Sequence, residues 1–299
     1  MRILITGGSG FIGQALVPSL LAGGHELVVS SRRPEAARRV LPQAVQVTDD
    51  IEGLAEAGIE AVINLAGAGI ADQRWSAQRK RALLSSRLDT TAAIVRLCER
   101  ASQPPKVLVS ASAVGFYGNQ PATTKVDENT PPMGGFTHEL CRQWEAAALQ
   151  AEAFGVRVVR LRIGIVLGPG GGMMARVLLP FKLGVGGRLG SGQQWMPWIH
   201  RDDVVGVMTH VLTDSSCSGV YNLCAPEPVR NITFTQTLGS VLGRPTLLIT
   251  PAPVLKVVFG EMSELLLGGT QMVPARLLAA GYVFQFPALQ TALADVVGQ

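Results

Sequence analysis

Long apolar runs and patterned cysteines are absent from this 299-residue sequence, and their absence excludes several classes of protein. No uninterrupted apolar segment reaches the roughly 18 residues that a membrane-spanning helix needs. The four cysteines show neither a CxxC pair nor a Cys/His spacing typical of metal ligands, so we expect free thiols, no metal site and a reducing compartment. Since the first residues already form a core strand, a cleaved signal peptide is not expected. The sequence therefore predicts a cytoplasmic protein without a membrane segment.

Concentrated charge of one sign is missing as well. The net charge is +4, and the lysines and arginines are scattered, with no basic block and no interleaved aromatic residues. This pattern argues against nucleic acid as a partner and favours a small anionic ligand. Hydrophobic residues make up 47% of the chain, which is enough for one large α/β core with or without a smaller lobe.

A glycine pattern at the start of the chain carries the strongest functional signal. The apolar run Ile3–Ile5 predicts a buried strand, and a helical pattern begins at Ala15. Glycines between a strand and a helix allow a sharp turn, a close approach of backbone amides to a pyrophosphate, and tight helix packing. This context separates the pattern from a chance match or a purely structural turn. The sequence therefore predicts a dinucleotide site whose cofactor-binding residues include Gly7, Gly10, Phe11, Ile12 and Gly13.

The end of the second predicted strand, Glu26–Ser30, indicates which dinucleotide is bound. A carboxylate about 20 residues beyond the glycine turn would bind the adenosine ribose hydroxyls of NAD. This chain instead offers Ser31, Arg32 and Arg33 at that point. A guanidinium can pair with a 2′-phosphate through two hydrogen bonds, so we predict NADP(H) as the cofactor. The alternative is that both arginines belong to an ordinary solvated turn.

Five further runs predict strands: Ala44–Val47, Ala61–Gly67, Lys106–Ser110, Gly155–Ile165 and Gly219–Leu223. Strands that alternate with helical patterns predict an α/β fold with a doubly wound parallel sheet of the Rossmann type, and with ligands beyond the carboxyl ends of the strands. The expected cofactor domain is 1–167, to which 199–224 returns. The glycine-rich segment 168–198 and the small helices of 225–299 predict a smaller, substrate-side lobe.

Several of these motifs together resemble the extended, epimerase-like branch of the short-chain dehydrogenase/reductase superfamily, the NAD-dependent epimerase/dehydratases. The matching pieces are Thr6-Gly7-Gly8-Ser9-Gly10-Phe11-Ile12-Gly13, Asn64-Leu-Ala-Gly67, the Ser112 to Tyr117-Gly118 strand end and Ile199-His-x-Asp-Asp203. More narrowly, Arg74-Trp75 and Cys141-Arg-Gln-Trp144-Glu145 are similar to an atypical epimerase group that includes the bacterial YfcH-like proteins. The resemblance implies further cofactor contacts from Leu65, Ala66, Gly67, Arg87 and Gly164.

The resemblance also shows where this chain departs from its relatives. Active members use a tyrosine and a lysine four residues later for proton transfer, preceded by a serine or threonine. Ser112 matches the serine. When Glu145 is aligned with the acidic residue that follows in the family, Thr137 falls at the tyrosine position and Cys141 at the lysine position. The proton-transfer pair is therefore absent. The catalytic candidates that remain are Ser112, Tyr117, Thr137 and His138.

Two hypotheses about function follow. The first is an NADP(H)-dependent oxidoreductase or epimerase that acts on a small polar carbonyl or alcohol. The second is a non-catalytic NADP(H)-binding scaffold or redox sensor, which the missing tyrosine and lysine favour. Since many relatives self-associate, the resemblance also implies a possible homodimer.

Overall fold

The computed structural model describes residues 1–298, which contain 15 strands and 11 α-helices. The strands are β1 (Arg2–Thr6), β2 (Glu26–Ser30), β3 (Gln46–Thr48), β4 (Ala61–Asn64), β5 (Val107–Ala113), β6 (Lys125–Val126), β7 (Arg157–Ile163), β8 (Ile165–Leu167), β9 (Gly187–Leu189), β10 (Trp195–Met196), β11 (Trp198–His200), β12 (Gly219–Leu223), β13 (Val229–Arg230), β14 (Leu248–Thr250) and β15 (Gln271–Met272). The helices are α1 (Gly13–Ala22), α2 (Pro34–Arg38), α3 (Ala77–Arg100), α4 (Phe136–Leu149), α5 (Met174–Lys182), α6 (Arg201–Thr213), α7 (Asn231–Leu242), α8 (Ala252–Phe259), α9 (Glu264–Leu267), α10 (Ala275–Ala279) and α11 (Leu289–Val297).

Seven strands form one parallel sheet in the order β12-β7-β5-β4-β1-β2-β3. The chain therefore extends the sheet first to one side of β1 and then, from β4 onward, to the other. Such a reversal opens a crevice between the carboxyl ends of the two strands at which it occurs, here β1 and β4. The predicted α/β class with a doubly wound parallel sheet is confirmed.

Helices cover both faces of this sheet, and successive apolar side chains of a strand point to opposite faces. Ile3 and Ile5 pack in one core cluster with residues of α1 and α6, whereas Leu4, between them, packs with Ile94 and other residues of α3. Both clusters are almost fully buried. A strand that is covered on both faces must be apolar throughout, which explains the continuous run at the start of the chain.

Strand bounds agree with the sequence prediction at β2 and β12 and differ elsewhere. The third strand is shifted to Gln46–Thr48, the fourth ends at Asn64, and the fifth runs on to Ala113. The predicted strand 155–165 divides at Gly164, where the carbonyl of Pro197 lies so close that a side chain would collide with it. The chain turns at this glycine, and β8 then pairs with β11 rather than with the large sheet.

Residues beyond the large sheet form a third cluster and four small strand pairs. Trp198 and Phe234 pack with residues of α5 and α11 in this cluster. The pairs are β10 with β13, β11 with β8, β14 with β9, and β15 with β6. The division into a cofactor domain and a substrate-side lobe stays a prediction. Among the described helices, none combines the length and the apolar character needed to cross a membrane.

Candidate functional site

The turn between β1 and α1 forms a concave backbone surface. Gly7 adopts a φ of 71°, and a side chain on it would place Cβ 2.7 Å from the carbonyl oxygen of Leu65. The N–H of Gly10 donates to the carbonyl of Gly7 at 2.9 Å. A side chain on Gly13 would collide with the carbonyl of Gly8. Only glycine therefore fits at Gly7 and Gly13, and Gly10 between them is exposed.

The amino terminus of α1 lies in this turn and suits an anion. Its N-cap is Ile12, which makes no side-chain cap, and its first turn holds no acidic residue. Unpaired amides and the helix dipole give such a terminus a partial positive charge. Phe11 packs beneath the glycines of the 168–172 loop, and the Arg201 guanidinium lies 5.2 Å from its ring centroid. These features fit a dinucleotide pyrophosphate.

The end of β2 holds the two arginines that the sequence singled out. The N–H of Arg33 donates to Oγ of Ser31 at 3.2 Å, which fixes the turn. Arg32 and Arg33 are exposed, and within residues 1–298 neither makes a salt bridge or a side-chain hydrogen bond. No carboxylate follows β2 directly. The turn therefore offers two uncommitted guanidinium groups beside the crevice.

A buried chain of hydrogen bonds shapes the other side of the crevice. The hydroxyl of Thr6 donates to Oδ1 of Asn64 at 2.7 Å, and Nδ2 of Asn64 donates to the hydroxyl of Thr91 at 2.9 Å. The N–H of Ala66 also donates a hydrogen bond to Oδ1 of Asn64, at 3.3 Å. Asn64 therefore joins β1, β4 and α3 and sets the path of the Leu65–Gly67 turn.

Arg87 lies at the far side of that turn. Its guanidinium donates to the carbonyls of Leu83 and Ala68 at 2.9 and 3.2 Å. It lies 5.0 Å from the ring centroid of Trp144. It also occupies the space that a side chain on Gly67 would need. Among the described residues no carboxylate pairs with it. Burial lowers the pKa of Arg87 from its ordinary value. A half-buried cation without a counter-ion favours an anionic or electron-rich ligand.

Ser112 belongs to a buried ion-pair network rather than to an open pocket. Its hydroxyl donates to Oε1 of Glu145 at 2.7 Å. The same carboxylate accepts two hydrogen bonds from Arg162, at 2.8 and 3.0 Å, and a third from Arg160 at 3.3 Å. The proton of the Ser112 hydroxyl is therefore already committed to Glu145.

Tyr117 continues this network into the core. It is fully buried in the 3₁₀ turn after β5. Its hydroxyl donates to Oδ1 of Asn222 at 2.7 Å and accepts from Nη1 of Arg162 at 2.9 Å. Burial raises the pKa of Tyr117 to about 12. Both hydrogen-bonding roles of the phenol are used within the protein, so it is poorly placed to exchange a proton with a substrate.

The start of α4 holds the remaining candidates. Thr137 lies against Gly115, at the end of β5. Nδ1 of His138 is 2.7 Å from the carbonyl oxygen of Phe116. Cys141, one turn later, is buried, and burial raises the pKa of its thiol to about 11. Thr137 and His138 are only half-buried, whereas Cys141 is a neutral thiol inside the protein.

The structure thus separates the predicted residues into two groups. The glycine turn, the β2 end and the Leu65–Gly67 turn follow the carboxyl ends of β1, β2 and β4, three neighbouring strands, and Arg87 lies against Gly67. Gly164 lies instead where the backbones of Pro197 and Leu223 approach, and that approach by itself requires a glycine. Sequence reasoning missed the role of Arg162. The available signal was its position inside the apolar strand β7, where a charge must find a partner.

Two family models match separate segments of the chain, and named relatives match nearly all of it. The family model "NAD dependent epimerase/dehydratase family" matches residues 3–224, and a domain of unknown function, DUF1731, matches 250–296. The human epimerase family protein SDR39U1 is 40% identical over 99% of this chain and 100% of its own length. The chloroplastic homologue of Arabidopsis thaliana is also 40% identical, over 99% of this chain and 87% of its own.

A solved structure agrees with the fold over its whole length. The crystal structure of human SDR39U1 (isoform 2) with NADPH superposes with a TM-score of 0.89 at 38% identity, and covers 100% of both chains. The resemblance inferred from the sequence motifs is thereby confirmed. The chain belongs to the NAD-dependent epimerase/dehydratase family.

Proposed function

We propose that this protein binds NADP(H) across the carboxyl ends of β1, β2 and β4. The observation that carries the proposal is the pair of uncommitted guanidiniums, Arg32 and Arg33, at the point where an NAD-selective relative would hold a carboxylate. The NADPH in the human SDR39U1 structure supports the same choice. In this arrangement the amides of the Gly7–Gly13 turn bind the pyrophosphate, the two arginines bind the 2′-phosphate, and Arg87 lies near the nicotinamide half.

Calorimetric titration with NADPH and NADH tests this proposal. Arg32→Ala combined with Arg33→Ala is expected to raise the NADPH dissociation constant by about 10- to 100-fold, because charge-assisted hydrogen bonds to the phosphate are lost. The NADH constant should hardly change. Arg39→Ala is the matched control, since Arg39 is an exposed arginine on the same segment but beyond α2. Equal losses for both nucleotides would refute the assignment of the 2′-phosphate.

We further propose an oxidoreductase activity on a small polar carbonyl compound. When bound, the reduced cofactor supplies a hydride to the carbonyl carbon. The carbonyl oxygen then takes a proton, for which His138 is the candidate donor. The Phe116 carbonyl can only accept, so Nδ1 of His138 carries the hydrogen of their 2.7 Å contact. In the imidazolium form Nε2 also carries a hydrogen and donates it to the substrate oxygen, which leaves the neutral ring with its hydrogen on Nδ1, and half-buried His138 then takes up a proton from solvent.

Transfer of deuterium from NADPH labelled at the nicotinamide to a panel of carbonyl compounds tests this activity. A labelled alcohol is expected with the parent protein, and about 10²-fold slower formation with His138→Asn, which removes the proton donor. Tyr117→Phe should retain transfer if the phenol is structural. Fast transfer by His138→Asn would assign proton delivery to another group or to water.

A specific observation favours the second function, a non-catalytic NADP(H) sensor. The hydroxyl of Ser112 donates to Glu145, and that of Tyr117 donates to Asn222 and accepts from Arg162, so neither is left for a substrate. If the protein is such a sensor, it binds NADPH in preference to NADH, but no carbonyl compound oxidises NADPH faster with the protein than without it. Labelled product from any member of the panel would exclude a purely non-catalytic role.

A further inference from the structure

Three side chains of types that can bind a metal ion, those of His210, Asp214 and Cys217, lie together at the carboxyl end of α6. Nε2 of His210 lies 3.8 Å from Sγ of Cys217 and 4.0 Å from Oδ2 of Asp214. All three ligand atoms lie within 4.8 Å of one another. The cluster is at the opposite end of α6 from Arg201, which contacts the cofactor turn through Phe11. A helix of this length separates the two ends by about 20 Å, so the cluster is no part of the cofactor crevice.

The backbone around the cluster holds these side chains in place. Asp214 ends the helix, and its Oδ1 accepts from the N–H and the hydroxyl of Ser216 at 2.8 and 2.7 Å. Oδ2 is thereby left to face His210. The N–H of Cys217 donates to the Asp214 carbonyl at 3.2 Å, and Arg157 donates to carbonyls of both Val211 and Cys217. These bonds fix Cys217 against the helix end without using its thiol.

We propose that His210, Asp214 and Cys217 form a zinc site. An imidazole, a carboxylate and a thiolate are ligands that Zn²⁺ accepts in tetrahedral geometry, with water at a fourth position. Tetrahedral zinc places its nitrogen, oxygen and sulfur ligands about 3.4–3.6 Å apart, so the two measured pairs need to close by only about 0.2–0.6 Å. The partial negative charge at the carboxyl end of α6 also favours a cation.

Access and proton balance are consistent with this site. Cys217 is buried at 4% exposure, whereas the side chains of His210 and Asp214 are 36% and 40% exposed, so an ion can enter from solvent. Binding replaces the thiol hydrogen of Cys217 and releases one proton, so affinity falls as the pH is lowered. The bound ion would join α6 to the turn before β12. Its role is stabilisation, and the proposal does not depend on the proposed function.

Cobalt(II) and zinc(II) titrations of the full-length, tag-free, metal-stripped protein test the site. Cobalt is expected to give a thiolate-to-metal charge-transfer band at one equivalent. Zinc should displace it and raise the melting temperature, because an ion that binds only the folded state stabilises that state. Cys217→Ser should abolish the band. His210→Ala, at a partly exposed position, should raise the zinc dissociation constant by about tenfold or more.

Two matched variants control for residue type. Cys98→Ala removes another buried thiol and His25→Ala another histidine, both far from the cluster in the chain, and both should retain the band and the zinc-induced stabilisation. Absence of a charge-transfer band in the parent protein would overturn the proposal. So would a band that survives in both Cys217→Ser and His210→Ala. Should Cys217→Ser fail to fold, His210→Ala decides alone.

Discussion

Arg162 holds the carboxylate of Glu145 through two hydrogen bonds, from Nε to Oε1 at 2.8 Å and from Nη2 to Oε2 at 3.0 Å. Both side chains are almost completely buried, with exposures of 5% and 4%. The pair joins β7 of the large sheet to α4. It also binds the hydroxyls of Ser112 and Tyr117, two of the catalytic candidates predicted from the sequence.

Glu145→Gln should destabilise the protein strongly. The neutral amide leaves the buried charge of Arg162 without a counter-ion, and loss of one partner of such a pair costs about 3–5 kcal/mol of the free energy of unfolding. Urea unfolding measures the change. Glu139→Gln is the control, since Glu139 pairs with Arg142 on the exposed side of the same helix, and its removal should leave the stability nearly unchanged. Similar small effects of both variants would contradict a structural role for the buried pair.

The tyrosines should resist ionisation in the folded state. Burial raises the pKa of both Tyr117 and Tyr282 to about 12 and also raises that of Tyr221, against an ordinary value of 10.0. Between about pH 10 and 12 the unfolded chain therefore holds fewer protons than the native one, so the free energy of unfolding falls as the pH rises. Tyrosinate absorbance should be far smaller in native than in urea-unfolded protein at pH 10.5. Equal absorbance in both states would contradict the burial of these phenols.

Alanine substitution of two glycines can distinguish a specific effect on cofactor binding from the loss of stability that any left-handed alanine causes. Gly7 and Gly24 have φ values of 71° and 75°, but a Cβ lies 2.7 Å from the Leu65 carbonyl oxygen at Gly7 and meets nothing within 4 Å at Gly24. Both variants should lose about 1–2 kcal/mol of stability from strain. Only Gly7→Ala should also weaken NADPH binding, by about tenfold or more. Calorimetry on both variants distinguishes these effects, and equal NADPH affinity would remove the turn from the site.

Asn64→Ala should affect both stability and cofactor affinity. The substitution leaves the buried hydroxyl of Thr6 without its acceptor and that of Thr91 without a donor, at a cost of about 1–3 kcal/mol. It also frees the Leu65–Gly67 turn, so NADPH binding should weaken. Thr91→Val is the control, since it removes the two hydrogen bonds of the Thr91 hydroxyl, with Asn64 and with the Arg87 carbonyl, but keeps the contact of Asn64 with Ala66. If Asn64→Ala binds NADPH normally, the path of this turn does not depend on Asn64.

The sequence predicted those parts of the fold that local patterns determine. Strand β2 follows from an apolar run between glycines and arginines, and the cofactor turn follows from the spacing of Gly7, Gly10 and Gly13. The short pairs, such as β15 with β6, were not predicted. Each strand of these pairs contains only two or three residues, too few for an alternating apolar pattern to be recognised. The pairs form because the surrounding lobe brings the segments together.

The side chains of the candidate site were harder to predict for a different reason. Tyr117 follows a strand end, which normally points into the ligand crevice, but the 3₁₀ turn directs it inward toward Asn222, a residue more than a hundred positions away. Arg162 likewise pairs with only one of the two acidic residues of α4, Glu145 rather than Glu139. Pairing over such distances in the chain depends on tertiary packing, which no local spacing of residues determines.

The outermost strand, β12, has a consequence for synthesis on the ribosome. It pairs with β7, yet the chain between Ile163 and Gly219 first leaves the large sheet. Until Leu223 has emerged from the exit tunnel, β7 exposes a row of free amides and carbonyls to neighbouring nascent chains. Such an edge invites aggregation, so a ribosome that pauses within this interval leaves the polypeptide at its most vulnerable.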